Sequence, residues 1–187
     1  MENSKSIDDL AKQLEKEQLD TLPPVDRWDP PLSGDIDIRI DREGRWYHEN
    51  GLIEREKLVK LFASILKKEG EDYFLVTPVE KWRIQVDDLP FVVTAMEEIA
   101  TEEGPALQFT TNLDNQVVAG SQHPLHVEYE ADSDEPRPSI RIRRNLYARI
   151  HRNVFYELVE RGKEADTGAG KVLQIRSGNE VFELGRY

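Results

Sequence analysis

Six arginines fall between Arg137 and Arg152, in a stretch that contains no carboxylate, within a chain whose formal charge is -12. The chemistry that such a cluster offers is anion capture. A guanidinium donates two parallel hydrogen bonds in a fixed fork that matches the oxygens of a phosphate or carboxylate. Alternation predicts a strand here, with Arg141 and Arg143 on one side and Ile140 and Ile142 on the other. A helix is predicted directly downstream, over 153–160, with Arg152 at its entrance. The arginines either pair with the protein's own carboxylates or receive an anion from outside.

The distribution of charge carries more than its sum. Residues 1–35 hold nine acids and four bases, a net of -5, whereas residues 137–163 hold eight bases and two acids, a net of +6. Overall there are 25 basic and 37 acidic residues, so general duplex-DNA binding, which works by neutralising phosphates, is not expected. A local pocket for a small anion is compatible with that balance. The mean hydropathy of -0.64 and the lack of a long apolar run exclude a transmembrane helix of about 20 residues. The first residues have no apolar core like that of a signal peptide, so the expected location is cytoplasmic. There is no cysteine, which removes disulfides, thiolate metal sites and cysteine nucleophiles.

Other chemistry is thinly represented. No P-loop, nucleophile-elbow or zincin motif occurs. Gly168-Ala169-Gly170-Lys171 precedes a predicted strand instead of following one, and reads as a hairpin loop. His123 and His126 stand three apart, which on a strand sends them to opposite faces, a poor arrangement for one metal ion. Asp87-Asp88 could serve acid–base chemistry or magnesium, yet their position marks them as turn carboxylates. Neither a cofactor nor a metal is expected.

Around these residues the chain reads as α+β. Ser6 and Asp9 frame a helix start, with Ile7, Leu10, Leu14 and Leu19 along one face. A linker with four prolines and Trp28 runs from Thr21 to Gly34. Strands are predicted at 35–40 and 45–48, joined by a turn at Asp41–Gly44, followed by a helix at 54–68 striped by Leu58, Leu61, Phe62 and Ile65. Strands at 73–77 and 82–86 complete a ββαββ unit. From Phe91 onward short strands dominate, at 91–98, 107–111, 116–119, 124–129 and 139–143. The helix at 153–160, a Gly-rich loop at 162–170 and a hairpin at 172–184 close the chain. The expected domains are therefore an N-terminal helix and linker over 1–34, the ββαββ unit over 35–90, and a β-rich antiparallel unit over 91–187.

A repeat links the two units. Ile53, Arg55, Leu58 and Leu61 match Ile150, Arg152, Phe155 and Leu158 at a constant spacing of 97 residues, and each helix precedes a hairpin. Duplication then makes Arg55 and Arg152 equivalent residues at two helix starts, where the exposed N–H groups favour an anion. The alternative is that each arginine pairs with a nearby carboxylate.

The ordered series Trp46, His48, Gly51, Arg55, Leu61-Phe62, Leu75-Val76-Thr77-Pro78, Glu80-Lys81 and Pro90-Phe91 resembles a conserved bacterial family of unknown function. The series continues with Leu125-His126, Arg141, Arg143, Leu146, Ala148, Arg152 and Phe182 to Gly185. The resemblance covers the chain from about Asp35 onward and leaves out the first helix. It implies a duplicated α+β core, a C-terminal domain loosely similar to pleckstrin-homology folds, and a candidate ligand site where two domains meet. It further implies a nucleotide-like ligand and a role in signal transduction, with no established enzyme activity.

Residues and resemblance together predict a binding protein rather than an enzyme. Arg55, Arg141, Arg143 and Arg152, with Trp46, His48, Lys81 and His126, are expected to hold a phosphorylated or nucleotide-like ligand between two related halves. Trp46, Tyr47 or Trp82 could stack on a base. Two alternatives stand beside this reading. One is a protein–protein adaptor whose acidic N-terminal segment masks the basic surface. The other is a hydrolase working through Asp87, Asp88 and a histidine.

Overall fold

The computed structural model describes residues 7–16 and 22–187. Ser6, Leu19 and Thr21, which entered the sequence reading, lie outside the described residues. The chain divides into two units, Met1–Asp88 and Leu89–Tyr187.

The first unit opens with helix α1 (Ile7–Glu15), whose Leu10, Ala11 and Leu14 are buried. It then runs through a short 3-10 turn at Val25–Arg27. The prolines keep this linker extended, since each fixes φ and removes an N–H donor. Its position is pinned by polar contacts: the Lys67 ammonium donates to the Trp28 carbonyl at 3.0 Å, and Ser33 exchanges hydrogen bonds with the Lys81 backbone. Strands β1 (Gly34–Ile40), β2 (Trp46–His48) and β3 (Gly51–Leu52) precede helix α2 (Glu56–Ser64). Strands β4 (Leu66–Glu69), β5 (Asp72–Val76) and β6 (Lys81–Val86) follow it. One sheet results, in the order β3-β2-β1-β6-β5-β4. All its pairings are antiparallel except β1 with β6.

The expected ββαββ pattern thus gains a short strand on either side of the helix. The predicted helix to Lys68 also stops early. Helix α2 ends at Ser64, whose hydroxyl donates to the Leu61 carbonyl, and Leu66–Glu69 turn back as a strand paired with β5. Gly70, at φ +59, makes the turn of that hairpin rather than capping the helix. Its left-handed conformation is open to glycine without steric cost. The change of element puts both Ile65 and Leu66 in the core, each fully buried. A continued helix would have rotated Leu66 about 100° away from Ile65. Helix α1 packs on α2, and Trp46, Phe62, Ile38, Ile40 and Leu75 fill the space between helix and sheet.

The second unit holds a sheet of β7 (Phe91–Thr101), β8 (Gly104–Thr111), β9 (Gln116–Val118), β10 (Leu125–Tyr129), β11 (Pro136–Arg143) and β12 (Leu146–Ile150). Helix α3 (Arg152–Arg161) and a three-stranded meander, β13 (Lys163–Asp166), β14 (Lys171–Ser177) and β15 (Glu180–Arg186), come last. The large sheet has the order β10-β11-β12-β7-β8-β9, and β12 runs parallel to β7. Sequence reading left out β12, although Leu146, Ala148 and Ile150 are buried in strict alternation with Tyr147 and Arg149. It also took 162–170 as loop throughout, where β13 pairs with β14 residue for residue over Lys163–Asp166.

Ser177 ties the meander to the sheet. Its buried hydroxyl accepts the Leu107 N–H at 2.9 Å and donates to the Ala119 carbonyl at 2.7 Å. Tyr129 donates to the Leu184 carbonyl at 2.8 Å on the other side. Among the described residues, no helix is long and apolar enough to cross a membrane.

Candidate functional site

The arginine stretch occupies β11, the β11–β12 turn and β12. Cross-strand partners in an antiparallel pair point to the same face. The register pairs His126 with Ser139 and Glu128 with Arg137. It also pairs Ser139 with Arg149 and Arg141 with Tyr147. One face of this three-stranded portion therefore carries His126, Glu128, Arg137, Ser139, Arg141, Tyr147 and Arg149, while Ile140, Leu146, Ala148 and Ile150 form the buried face. The imidazole of His126 and the ring of Tyr147 lie 6.1 Å apart, tilted by 47°.

The strand does not keep Arg143 with Arg141. A register shift falls between them, and Arg143 pairs with Leu146, a residue of the buried face. A bulge of this kind leaves one residue, Ile142, without a partner and reverses the alternation beyond it. The expectation that Arg141 and Arg143 share a side is therefore corrected. The Arg143 guanidinium lies over the Phe91 ring at 5.3 Å, and burial lowers it to about 10, with the adjacent Arg144 charge adding to the effect. It stays protonated near neutrality. Arg144 itself takes φ +51 in the turn, and its carbonyl accepts a hydrogen bond from Arg141 Nε.

Backbone carbonyls and a carboxylate meet other residues here. Arg149 Nη1 donates to the Pro138 carbonyl at 3.2 Å, and His123 Nδ1 lies 3.0 Å from the Arg141 carbonyl. Arg137 reaches Glu130 at 3.0 Å. Arg152 stands at the first turn of α3 and pairs with Glu135 at 2.9 Å, both side chains being more than 60% exposed (67% and 63%). The N-cap of that helix is His151, whose ring accepts the Asn153 N–H at 3.3 Å.

The other four residues singled out by sequence belong to the first unit. Trp46 is a core residue, 1% exposed, stacked on Phe62 with centroids 6.4 Å apart, so its ring serves packing. Among the described residues its indole N–H has no acceptor. Lys81 is held by Glu69 at 3.0 Å and sits 5.1 Å from the Phe74 ring centre. His48 Nε2 is 4.0 Å from a Glu49 carboxylate oxygen. Arg55 is the N-cap of α2 with an exposed side chain. Caps therefore equate Arg55 with His151, not with Arg152, and the buried stripes agree. Leu58, Val59 and Phe62 match Val154, Phe155 and Leu158 at a spacing of 96. The spacing of 97 resumes after the helix, where β4 at 66–69 matches β13 at 163–166, because α3 is one residue longer.

Asp87, considered above for catalysis, accepts from Arg39 at 2.7 Å and closes the β1–β6 pair. Among the described residues no three acids or histidines gather as a metal site. Sequence reasoning left Arg137, Tyr147 and Arg149 out of the site. The alternation over 146–150 was the signal that would have found the last two.

The comparisons agree with this architecture. The family described as domain of unknown function DUF1285, N-terminal domain, matches residues 23–89, and the DUF1285 C-terminal domain matches residues 90–184. A DUF1285 family protein from Silicibacter pomeroyi DSS-3 has 36% sequence identity and a TM-score of 0.86, covering 97% of this chain and 95% of its own. A second, from Shewanella baltica OS155, has 27% identity and a TM-score of 0.53, covering 67% of this chain and 91% of its own. None of the curated proteins matches the chain. The chain is a two-domain, internally duplicated member of the DUF1285 family.

Proposed function

We propose that the protein binds a phosphorylated or nucleotide-like ligand through the arginine-bearing face of β10, β11 and β12, as the sensing part of a signalling process. The observation that carries this reading is the register that gathers Arg137, Arg141 and Arg149 beside His126 and Tyr147. A hydrogen bond to a carbonyl, such as the one Arg141 makes, leaves the guanidinium charge uncompensated. Its remaining N–H groups suit phosphate oxygens. The His126–Tyr147 pair offers a flat aromatic surface beside them. Arg152 adds a fourth cation whose pairing with Glu135 is exposed and weak. No step of bond making or breaking belongs to this reading.

The test is a thermal-unfolding series on the full chain with AMP, GMP, ADP and inorganic pyrophosphate. Ligand present at 100 times its dissociation constant stabilises by about 2.7 kcal/mol, a shift of several degrees. Arg141→Ala and Arg149→Ala should each remove most of that shift. Unchanged unfolding with every one of these compounds would refute the reading.

A further inference from the structure

Elsewhere in the second unit, the meander borders a cleft of about 370 Å³ that no arginine of the β11–β12 face lines. Pairing places Lys163 opposite Gln174 and Arg176 opposite Val181. Since Gln174 and Arg176 are two apart on β14, Lys163, Gln174, Arg176 and Val181 share one face of the meander. Ala165 joins them through its parity with Lys163. All five line the cleft, and Leu107 contributes from β8. The result is a row of three hydrogen-bond donors beside an apolar wall.

Two carboxylates also border the cleft. Glu98 faces Arg161 at 3.8 Å. Glu164 of β13, opposite Leu173, is the second. By contrast, Lys163, Gln174 and Arg176 make no ion pair or side-chain hydrogen bond among the described residues. Two cations outside any ion pair and an amide on neighbouring strands stand roughly 5–8 Å apart, within reach of one anionic head group. The cleft volume falls in the range of small-ligand sites, about 300–1,000 Å³.

We infer that this cleft is a second binding site, taking an amphipathic organic anion. The carboxylate, sulfonate or phosphate head sits on Lys163, Gln174 and Arg176, and the apolar body lies against Leu107, Ala165 and Val181. The site is independent of the one proposed above.

The probe is 1-anilinonaphthalene-8-sulfonate, titrated into the full chain and followed by fluorescence. Saturable binding at one site per chain is expected. The double variant Lys163→Glu/Arg176→Glu should weaken it by roughly tenfold or more, and Val181→Trp should abolish it by filling the cleft. The uncharged analogue N-phenyl-1-naphthylamine should bind more weakly. Lys57→Glu, a charge reversal on one exposed residue of the first unit, should leave the titration unaltered. Near-ultraviolet circular dichroism establishes that each variant is folded. Absent or non-saturable binding, or equal binding by the parent and both cleft variants, would overturn the inference.

Discussion

The two large sheets have the same plan and differ in where their helix goes. Each is made of two antiparallel triplets joined by a parallel seam between the first strand and the last, β1 with β6 and β7 with β12. In the first unit α2 sits in the chain between the triplets. In the second, a loop joins them, and α3 comes after both, followed by an additional meander. The handling of charge differs too. Cations of the first unit meet carboxylates, as in Arg39–Asp87, Arg45–Asp41, Lys81–Glu69 and Arg83 with Asp35 and Asp72. On the second sheet Arg137 also meets a carboxylate, Glu130, but Arg141 meets a carbonyl and Arg143 lies over an aromatic face. A carboxylate cancels a charge, whereas a dipole only orients it. The contrast therefore lies between Arg141, held by a carbonyl, and the carboxylate-paired cations of the first unit.

The largest effects should come from the cores that keep the copies separate. Phe62→Ala and Phe91→Ala each remove a fully buried ring and should cost about 3–5 kcal/mol. Hydrogen exchange should show the first loosening residues 34–86 and the second residues 91–186. If either variant loosened the whole chain equally, two separate cores would be the wrong description.

Next is a feature of the second unit only. Ser177→Ala leaves the Leu107 N–H and the Ala119 carbonyl without their side-chain partner, at about 2 kcal/mol. Faster exchange should be confined to β8 and the meander; a global loss of protection would mean that the meander is not a separable addition.

The charge contrast is open to a paired measurement. Lys81→Ala removes one of the two lysines paired with Glu69, leaving Lys67, and should lower stability by about 1 kcal/mol or less, discounted for the partial exposure of Glu69. Arg141→Ala should leave urea unfolding nearly unchanged while abolishing ligand-induced stabilisation. Equal losses of stability in both variants would erase the distinction between structural and receptive cations.

The smallest effect is a pH dependence of the first unit. Desolvation acts to raise Asp41, but the Arg45 backbone N–H, its guanidinium bond and its charge outweigh this and hold the carboxyl below its ordinary range. In Glu69, the hydrogen bond from Lys81 is the leading cause of the same lowering, against a smaller opposing effect of burial. A folded pKa below the unfolded one means that the unfolded chain binds protons first. The stabilisation is therefore present above about pH 4 and is lost as pH falls through the folded value. Asp41→Asn should flatten the acid limb of the stability curve. An unchanged limb would remove Asp41 from the account.

Much of this architecture was legible in residue pattern. The alternation of Asp35–Ile40, the Asp41–Gly44 turn and the stripe of Leu58 and Phe62 each gave the right element, because local periodicity there agrees with burial. The helix end was misread because Ile65 continues the stripe, and only pairing with β5 makes a strand of Leu66–Glu69. The site was legible in composition but not in direction. The bulge that turns Arg143 inward is a register effect between two strands, and no one-strand alternation rule contains it. Trp46 and Lys81 drew notice by residue type, while their partners Phe62 and Glu69 lie 16 and 12 positions away in sequence.

The parallel seams also impose a schedule on synthesis. Gly34 meets Trp82 and Phe91 meets Ala148, separations of 48 and 57 residues, so neither sheet closes until its last strand has left the ribosome. Until then β1 and the long β7 wait with one edge open, the state in which strands join wrong partners. At about 5–20 residues per second, the second wait lasts several seconds. Asp35 and Asp37 on β1, and Glu97 and Glu98 on β7, are charges of the kind that discourage an open strand edge from pairing with another chain.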